Sequence, residues 1–322
     1  MKAIRVHAHG GAEVLALEDV PLPEPREGEA RIRIEAAGLN FIEIYYRLGL
    51  YKTAVPFTPG GEGAGTVTAV GPGVTAVRPG DRVATVNGAG TYAEEAIVPA
   101  ERLVPLPDGV TARQGAAAML QGITAHYLTT STWPVKPGDT CLVHAAAGGV
   151  GLLLCQLAKR RGARVVGTVS TPAKAALAKA AGADLVVDYA REDFVAAAKG
   201  FTNGRGVNVV YDSVGKTTFE RGFDALAPRG MMVLFGQASG PVGPLDPQLL
   251  NQKGSVFLTR PTIFHHIASR DELLLRAGEV LGWVKDGSLR LRMEHEFPLA
   301  KAADAHRALE GRKTTGKVLL IP

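Results

Sequence analysis

Three small residues in the stretch VHAAAGGVG, Val143 to Gly151, have the spacing of a phosphate-binding loop. Ala146, Gly148 and Gly151 fit the pattern A-x-G-x-x-G, in which the second position lets the backbone approach a pyrophosphate and the third lets a helix pack on the preceding strand. An apolar strand-like run precedes the loop, a helix-like run follows it, and another strand-like run comes next. The start of that helix would present free N–H groups and the positive end of its dipole to an anion. We therefore predict that the loop binds a dinucleotide, and a purely structural glycine turn is the alternative.

The residues after the next strand-like run bear on the choice between NAD and NADP. An NAD site usually has a carboxylate there that binds the ribose 2′-hydroxyl. Here the strand ends in Val169-Ser170-Thr171, and Lys174 follows within one helical turn. Hydroxyls and a lysine suit a 2′-phosphate, whereas a carboxylate would repel it. We predict NADPH, with a solvated helix lysine as the alternative interpretation of Lys174.

Cysteine content and charge exclude several other classes of site. The only cysteines are Cys141 and Cys155, without a CxxC motif, so a four-cysteine zinc site is excluded and buried inert thiols are expected. The formal net charge is +5, and the basic residues are scattered, with no run longer than Lys159-Arg160-Arg161. A nucleic-acid partner is therefore not expected. No apolar run approaches the ~20 residues of a membrane span, and the N-terminus lacks the apolar core of a signal peptide. These features predict a soluble cytoplasmic protein.

The elements that must position these residues follow two different patterns along the chain. The first part is β-rich, with alternating runs such as ARIRIEAAGL and strands separated by Gly and Pro turns, which predicts a small barrel-like β domain. From Thr140 the strand-like runs TCLVHAA, ARVVGTVS, DLVVDY, VNVVYDSVG and GMMVLFG are separated by helical segments. This alternation predicts a doubly wound parallel sheet, that is, an α/β nucleotide-binding domain. The C-terminal part breaks the alternation and is expected to return to the first domain. The predicted limits are 1–121 with 263–322 for the β-rich domain and 122–262 for the nucleotide-binding domain.

The β-rich part and several later stretches resemble one enzyme family. The residues Ala36, Gly38, Asn40, Glu43, Tyr45, Gly49 and Tyr51, followed by the glycine-rich stretch from Gly60 to Gly71, are similar to the medium-chain dehydrogenase/reductase superfamily. Within it they resemble the zinc-free quinone oxidoreductases related to zeta-crystallin. The resemblance continues through QGITAHY, HAAAGGVG, VVYDSVG, LNQKGSVFLTRP and GKVLLIP, and so covers essentially the whole chain. It implies a GroES-like catalytic domain beside the Rossmann domain.

The resemblance also locates the positions at which zinc-dependent members bind their catalytic metal. Those positions are Asn40 and Gly61 here, and neither an amide nor a glycine replaces a thiolate or an imidazole on zinc. No metal is therefore expected, and alcohol dehydrogenase chemistry is disfavoured. A quinone or an enone needs less electrophilic help, because its reduced product is delocalised.

The site residues that the resemblance implies fall into groups by role. Asn40, Tyr45 and Tyr51 are expected to line the nicotinamide and substrate cleft as catalytic residues, and Asn40 and Tyr45 are expected to contact the cofactor as well. The cofactor residues are expected to be Thr124 and Tyr127 for the ribose and diphosphate, Gly148, Gly149, Val150 and Gly151 for the pyrophosphate, Ser170, Thr171, Lys174, Tyr189 and Arg312 for the 2′-phosphate, and Ser213, Gly236 and Gln237 for the nicotinamide side. Each has a structural alternative, such as packing aromatics for the tyrosines or a surface ion pair for Arg312. Glu43 stands where the family has Asp, and we expect any contact of that acid with a tyrosine or with Arg47 to be altered.

The implied activity is NADPH-dependent reduction of a quinone or another conjugated carbonyl, with Tyr45, Tyr51 or solvent as the proton source. Reduction of enones, alkenals or enoyl thioesters on the same scaffold is the first alternative. A non-catalytic NADPH-binding sensor or an RNA-associated protein is the second. The superfamily also implies a homodimer, paired near VLFG and SVFLTRP.

Overall fold

The structure is a computed structural model of the 322-residue chain and describes residues 1–86 and 90–322. The strands, in chain order, are β1 Lys2–Arg5, β2 Ala16–Asp19, β3 Glu29–Leu39, β4 Glu62–Val70, β5 Arg82–Val86, β6 Glu95–Pro99, β7 Leu103–Pro105, β8 Thr140–Val143, β9 Arg164–Val169, β10 Leu185–Asp188, β11 Val207–Asp212, β12 Leu226–Leu234, β13 Phe257–Thr259, β14 His295–Pro298 and β15 Val318–Ile321. The helices are α1 Phe41–Arg47, α2 Ala112–Tyr127, α3 Gly149–Arg160, α4 Pro172–Ala180, α5 Phe194–Phe201, α6 Phe219–Ala225, α7 Gln248–Gln252, α8 Arg270–Lys285 and α9 Ala302–Glu310. A π-helical segment, Leu128–Thr132, continues α2.

The chain divides into two compact units. The first comprises Met1–Ile123 and His266–Pro322, and the second comprises Thr124–His265. The limits given above for the two domains stay a prediction. Within the described ranges 1–86 and 90–322, none of the helices is both long and apolar enough to cross a bilayer.

The first unit is built on a seven-stranded sheet in the order β14-β15-β3-β4-β5-β7, with β6 pairing β3. The long strand β3 places Ala30, Ile32 and Ile34 on one buried face, as the period-2 alternation of its sequence predicts. The final strand β15 pairs antiparallel with β3, next to β14. The C-terminal part therefore returns to the first unit, as predicted.

The second unit contains a six-stranded sheet in the order β10-β9-β8-β11-β12-β13, and every neighbouring pair is parallel. Renumbered from its first strand, this is the order 3-2-1-4-5-6 of dinucleotide-binding folds. The predicted doubly wound sheet is confirmed. Its order reverses between β8 and β11, so ligands of such sheets bind beyond the carboxyl ends of these two strands.

Local sequence explains where the key helices of this sheet begin and end. Pro172 opens α4 behind Thr171, whose hydroxyl accepts from the backbone N–H of Lys174 at 3.3 Å and caps the helix. Helix α3 gives way to a turn at Gly162, which has φ 80°, a conformation that suits glycine. In this unit, helices α6 and α7 and the short edge strand β13 were not predicted from sequence periodicity.

Candidate functional site

The glycine-rich loop joins β8 to α3 at the switch point of the parallel sheet. Gly148 is the N-cap of α3, and it has no side chain that could accept a hydrogen bond from the first-turn N–H groups. Those N–H groups also have no acceptor within the helix. A Cβ atom on Gly151 would lie 2.3 Å from the carbonyl oxygen of Ala145 and 2.8 Å from Cα of Ala146. Glycine is thus required for the helix to start this close to the strand. Gly149 and Val150 are partly exposed residues, and N–H groups at the start of a helix suit an anionic diphosphate.

The carboxyl ends of β9 and β10 bring four of the predicted 2′-phosphate residues into one neighbourhood. Ser170 and Thr171 follow β9 directly, and the backbone N–H of Tyr189 donates to the carbonyl of Val169 at 3.1 Å. Lys174 lies in the first turn of α4.

The carboxylates of Asp188 and Glu192 lie close to this neighbourhood, and Glu192 accepts from the backbone N–H of Asp188 at 3.2 Å. Asp188 stands opposite Val169 in the sheet register, and its carboxylate accepts from the N–H of Ala190 at 3.1 Å and lies 3.9 Å from Nε of Arg191. Hydroxyls and the lysine follow β9 where an NAD site would have an acid, and this arrangement fits a 2′-phosphate.

The loops after β11 and β12 also meet at this edge of the sheet. Asp212, buried at the end of β11, accepts from the N–H groups of Val214 and Gly215 at 2.7 and 3.0 Å, which fixes the first loop. The N–H of Ala238 donates to the carbonyl of Ser213 at 3.1 Å, so Ser213 is next to Gly236 and Gln237. These three predicted residues are therefore brought together.

The remaining predicted cofactor residues are placed as follows. Thr124 and Tyr127 are buried and one turn apart on the last part of α2. Arg312 is exposed after α9 in the first unit, with φ 56°.

The three predicted catalytic residues lie on α1 or close to its ends, in the first unit. Asn40 is the N-cap of α1, and Tyr45 is on the helix and buried. The ring of Tyr51 is 5.2 Å from that of Tyr45 and 5.6 Å from that of Tyr46, and its N–H donates to the Tyr45 carbonyl at 3.2 Å. The three tyrosines therefore form one aromatic cluster.

The carboxylate of Glu43 forms hydrogen bonds with two backbone N–H groups. Its carboxylate accepts from the backbone N–H of Asn40 at 2.8 Å and from that of Gly61 at 2.9 Å, rather than contacting a tyrosine or Arg47. It thereby ties together the two positions at which zinc-dependent relatives carry metal ligands. Burial raises the pKa of the Glu43 carboxyl to about 7, against the opposing effect of the Gly61 N–H and the Lys317 charge.

Arg47 contributes to a separate buried network. It forms a bidentate ion pair with Glu310 of α9, at 3.0 and 2.7 Å, and its guanidinium lies 3.1 Å from Nδ1 of His306. Burial, together with the Arg47 charge, lowers the pKa of His306 to about 3, so the imidazole is neutral. This network joins α1 to α9.

Sequence reasoning missed the side chains that surround Asn40. Lys317 Nζ donates to Asn40 Oδ1 at 2.8 Å and also to Glu62, while Gln121 Nε2 donates to the same Asn40 oxygen at 3.2 Å. Asn40 Nδ2 donates to Glu62 Oε2 at 3.1 Å. The signal was present, since Glu62, Gln121 and Lys317 all lie in motifs of the family resemblance, but no role had been attached to them.

Two other expectations concern metals and thiols. In the part of the chain that the structure describes, no three His, Cys, Asp or Glu side chains form a group that could hold a metal ion. Cys141 and Cys155 are fully buried, and burial raises the pKa of both thiols, that of Cys155 to about 12. The expectation that both thiols are buried is confirmed, and their raised pKa values are consistent with low reactivity.

Comparison with known proteins adds independent information. Residues 26–108 match the family model of the alcohol dehydrogenase GroES-like domain, and residues 149–272 match that of the zinc-binding dehydrogenases. The chain is 46% identical to a quinone oxidoreductase of Pseudomonas aeruginosa, covering 100% of this chain and 99% of the relative. It is 39% identical to a 2-haloacrylate reductase of a Burkholderia species, covering 98% of each chain. The structure of an Escherichia coli quinone oxidoreductase complexed with NADPH superposes with a TM-score of 0.97 at 42% identity, covering 100% of both chains.

Proposed function

We propose that this chain, which belongs to the medium-chain dehydrogenase/reductase superfamily and within it to the zeta-crystallin-like quinone oxidoreductases, catalyses the NADPH-dependent reduction of quinones. The observation that carries the proposal is the full-length similarity to quinone oxidoreductases, one of them solved with NADPH. The geometry of the two units supports each half of the reaction separately.

The second unit supplies a site that fits NADPH, which provides the reducing equivalents when bound. The N–H groups of Gly149 and Val150 would hold the diphosphate, with Gly148 and Gly151 allowing its close approach. The 2′-phosphate would be held by Ser170, Thr171, Lys174 and Tyr189, whereas the contact expected of Arg312, which lies in the first unit, stays a prediction. Thr124 and Tyr127 would lie near the ribose and diphosphate, and Ser213, Gly236 and Gln237 would lie on the nicotinamide side.

The first unit supplies the groups that we assign to the acceptor. Asn40 offers a hydrogen bond, Tyr45 and Tyr51 offer aromatic surface against which a planar quinone packs, and their hydroxyls are candidate proton donors. The protein acts mainly by positioning its two ligands and by excluding water.

The residues at the two zinc-ligand positions support a reaction without a metal. Asn40 and Gly61 provide no thiolate or imidazole, and the Lys317 ammonium lies 2.8 Å from the Asn40 oxygen. A second cation would be repelled at this place. Quinones accept electrons without Lewis-acid help more readily than simple ketones do, which favours them as substrates.

One relative favours a second candidate function. The similarity to a 2-haloacrylate reductase supports reduction of an activated C=C bond on this same scaffold. Both functions share the NADPH site and differ only in the acceptor.

A panel of acceptors at saturating NADPH tests the proposal. We expect 1,4-naphthoquinone to be reduced with a kcat/KM at least tenfold above those of 2-chloroacrylate, a short alkenal and an enoyl-CoA. A quinone rate at background with rapid turnover of one alkene would replace the first candidate by the second. NADPH binding without turnover of any acceptor would instead favour a non-catalytic sensor. The homodimer, the cytoplasmic location and the lack of a nucleic-acid partner stay predictions.

A further inference from the structure

We infer that Lys317 and Gln121 are positioning residues, which turn the Asn40 carboxamide so that it presents an N–H to an oxygen acceptor of the bound reactants. This inference rests on the proposed function, because it assigns a chemical task to Asn40 in that reaction. It concerns side chains that the proposed mechanism does not otherwise use.

The chemistry of the neighbours determines which end of the Asn40 amide is which. A lysine ammonium has only donors, so the Asn40 atom 2.8 Å from Lys317 Nζ is the oxygen. An ionised carboxylate has only acceptors, so the Asn40 atom 3.1 Å from Glu62 Oε2 is the nitrogen. Gln121 adds a second donor, at 3.2 Å, to the Asn40 oxygen. Rotating the Asn40 amide by 180° would place a donor against a donor at Lys317 and at Gln121, and an acceptor against an acceptor at Glu62.

The neighbours are themselves held in place. The side chains of Lys317 and Glu62 are 2% and 0% exposed, and the other Glu62 oxygen accepts from the N–H of Leu120 at 2.5 Å. Gly38 leaves room for the ion pair, since a Cβ there would lie 2.3 Å from Glu62 Oε2 and 2.6 Å from Lys317 Nζ. The pair is a weak source of stability, because buried ion pairs can often be replaced by apolar side chains without loss. An apolar replacement, however, could not orient an amide.

This orientation leaves one hydrogen of Asn40 Nδ2 for a ligand. Among residues 1–86 and 90–322, Nδ2 donates to Glu62 alone, whereas both acceptor directions of the oxygen are filled by Lys317 and Gln121. Asn40 therefore acts toward the reactants as a donor. The matching group is a carbonyl-type oxygen, either that of a quinone, on which negative charge develops during reduction, or that of the nicotinamide carboxamide.

Gln121 is the position to change, because removing Lys317 would leave the Glu62 carboxylate buried and unpaired. Gln121→Glu places an acceptor opposite the Asn40 oxygen with almost no change of shape, and Gln121→Met removes the donor without adding an acceptor. The matched control is Gln114→Glu on the same helix, where the side-chain oxygen only accepts from Thr111, at 2.8 and 3.1 Å. The readouts are kcat, KM for 1,4-naphthoquinone, the NADPH dissociation constant and their pH dependence.

We expect Gln121→Glu to lower kcat/KM by ~10- to 100-fold at pH 8, which is less than the ~100- to 1000-fold cost of removing a donor to a developing oxyanion outright, because Asn40 itself remains. The deficit should shrink as the pH falls, because a protonated carboxyl again donates to the Asn40 oxygen. Gln121→Met should show a smaller, pH-independent loss, and Gln114→Glu should match the wild type. A lower kcat together with a higher KM for the quinone places the acceptor oxygen on the quinone. A higher NADPH dissociation constant places it on the cofactor. Both results support the inference, whereas wild-type kinetics for both Gln121 variants would overturn it.

A measurement that does not need turnover separates this inference from the proposed function. The chain has five asparagines, so ¹⁵N-asparagine labelling gives a simple spectrum of side-chain amides, in which Asn40→Asp identifies the Asn40 signal. Gln121→Glu should shift that signal, and Gln114→Glu should not. An unshifted Asn40 signal contradicts the positioning role even if quinone reduction is confirmed. A shifted signal in an enzyme that fails to reduce quinones contradicts only the proposed function.

Discussion

At the scale of single residues, Lys174 is the most direct test of cofactor choice. Lys174→Ala should raise the NADPH dissociation constant by ~10- to 100-fold, because a charge-assisted hydrogen bond to the 2′-phosphate contributes about 1.5–3 kcal/mol. NADH binding should change less than twofold, as NADH lacks that phosphate. The matched control is Lys179→Ala in the last turn of the same helix, which should leave both cofactors unaffected. Fluorescence titration with each cofactor measures these values, and equal losses for NADPH and NADH would show that Lys174 does not recognise the phosphate.

A second residue, Glu43, predicts a specific pH dependence of stability. Its pKa rises from 4.5 to about 7 on folding because the carboxyl is buried. A raised carboxyl pKa means that the fold disfavours the charged form. The stabilisation linked to the protonated Glu43 carboxyl is therefore fully present below about pH 4.5 and is lost as the pH rises through 7. The size of the pKa shift corresponds to a decrease of roughly 3 kcal/mol in the free energy of unfolding over this pH range.

Glu43→Gln removes this titration while keeping the shape of the side chain. The free energy of unfolding of the wild type, minus that of the variant, should therefore fall by roughly 3 kcal/mol between pH 4.5 and pH 8. Urea unfolding at several pH values measures it. The control is Glu101→Gln, because the Glu101 side chain is 66% exposed. Its free energy of unfolding should change with pH in parallel with that of the wild type. Parallel curves for Glu43→Gln as well would mean that the carboxyl keeps an ordinary pKa in the fold.

At the scale of elements, the junction of β8 and α3 explains the need for glycine. Gly151→Ala would place a Cβ 2.3 Å from a backbone oxygen, so the start of α3 must shift and NADPH affinity should fall at least ~10-fold. The control is Gly282→Ala in the interior of α8, where a Cβ meets nothing within 4 Å. That change should raise the free energy of unfolding by about 0.5–1 kcal/mol, since alanine favours helix. Isothermal titration with NADPH decides the matter, and wild-type affinity in Gly151→Ala would refute this role of the loop.

The same elements show what the sequence could predict. Strands β8 to β12, helices α3 to α5 and the phosphate-binding turn were predictable, because each depends on periodicity and turn residues within about 20 positions. The edge strand β13 has only three residues, too short a stretch for periodicity to identify.

The surroundings of Asn40 could not be predicted in this way. The residues that hold its amide are 81 and 277 positions away in the chain, and they meet it only because β15 returns beside β3. Local patterns carry no information about such contacts. The contacts of Glu43 could not be predicted for a related reason, since its carboxylate accepts a hydrogen bond from the backbone N–H of Gly61, 18 residues away.

At the scale of the whole molecule, the open edge of the six-stranded sheet bears on oligomeric state. Strand β13 ends the sheet, and Phe257 at its start is 55% exposed. An unpaired edge of this kind is suited to pairing with a second copy. We expect light scattering of the wild type to give twice the chain mass of 33.8 kDa. Phe257→Lys should shift the measured mass toward that of one chain. A monomeric wild type would contradict the predicted homodimer.

The central claim is that the whole chain works as an NADPH-dependent quinone reductase without a metal. The most direct measurement is the steady-state oxidation of NADPH and of NADH with 1,4-naphthoquinone, using enzyme dialysed against a chelator. We predict full activity after dialysis and a kcat/KM for NADPH at least ~10-fold above that for NADH, as expected from one phosphate contact. Activity that disappears on chelation and returns with zinc, or an equal or higher kcat/KM with NADH, would contradict it.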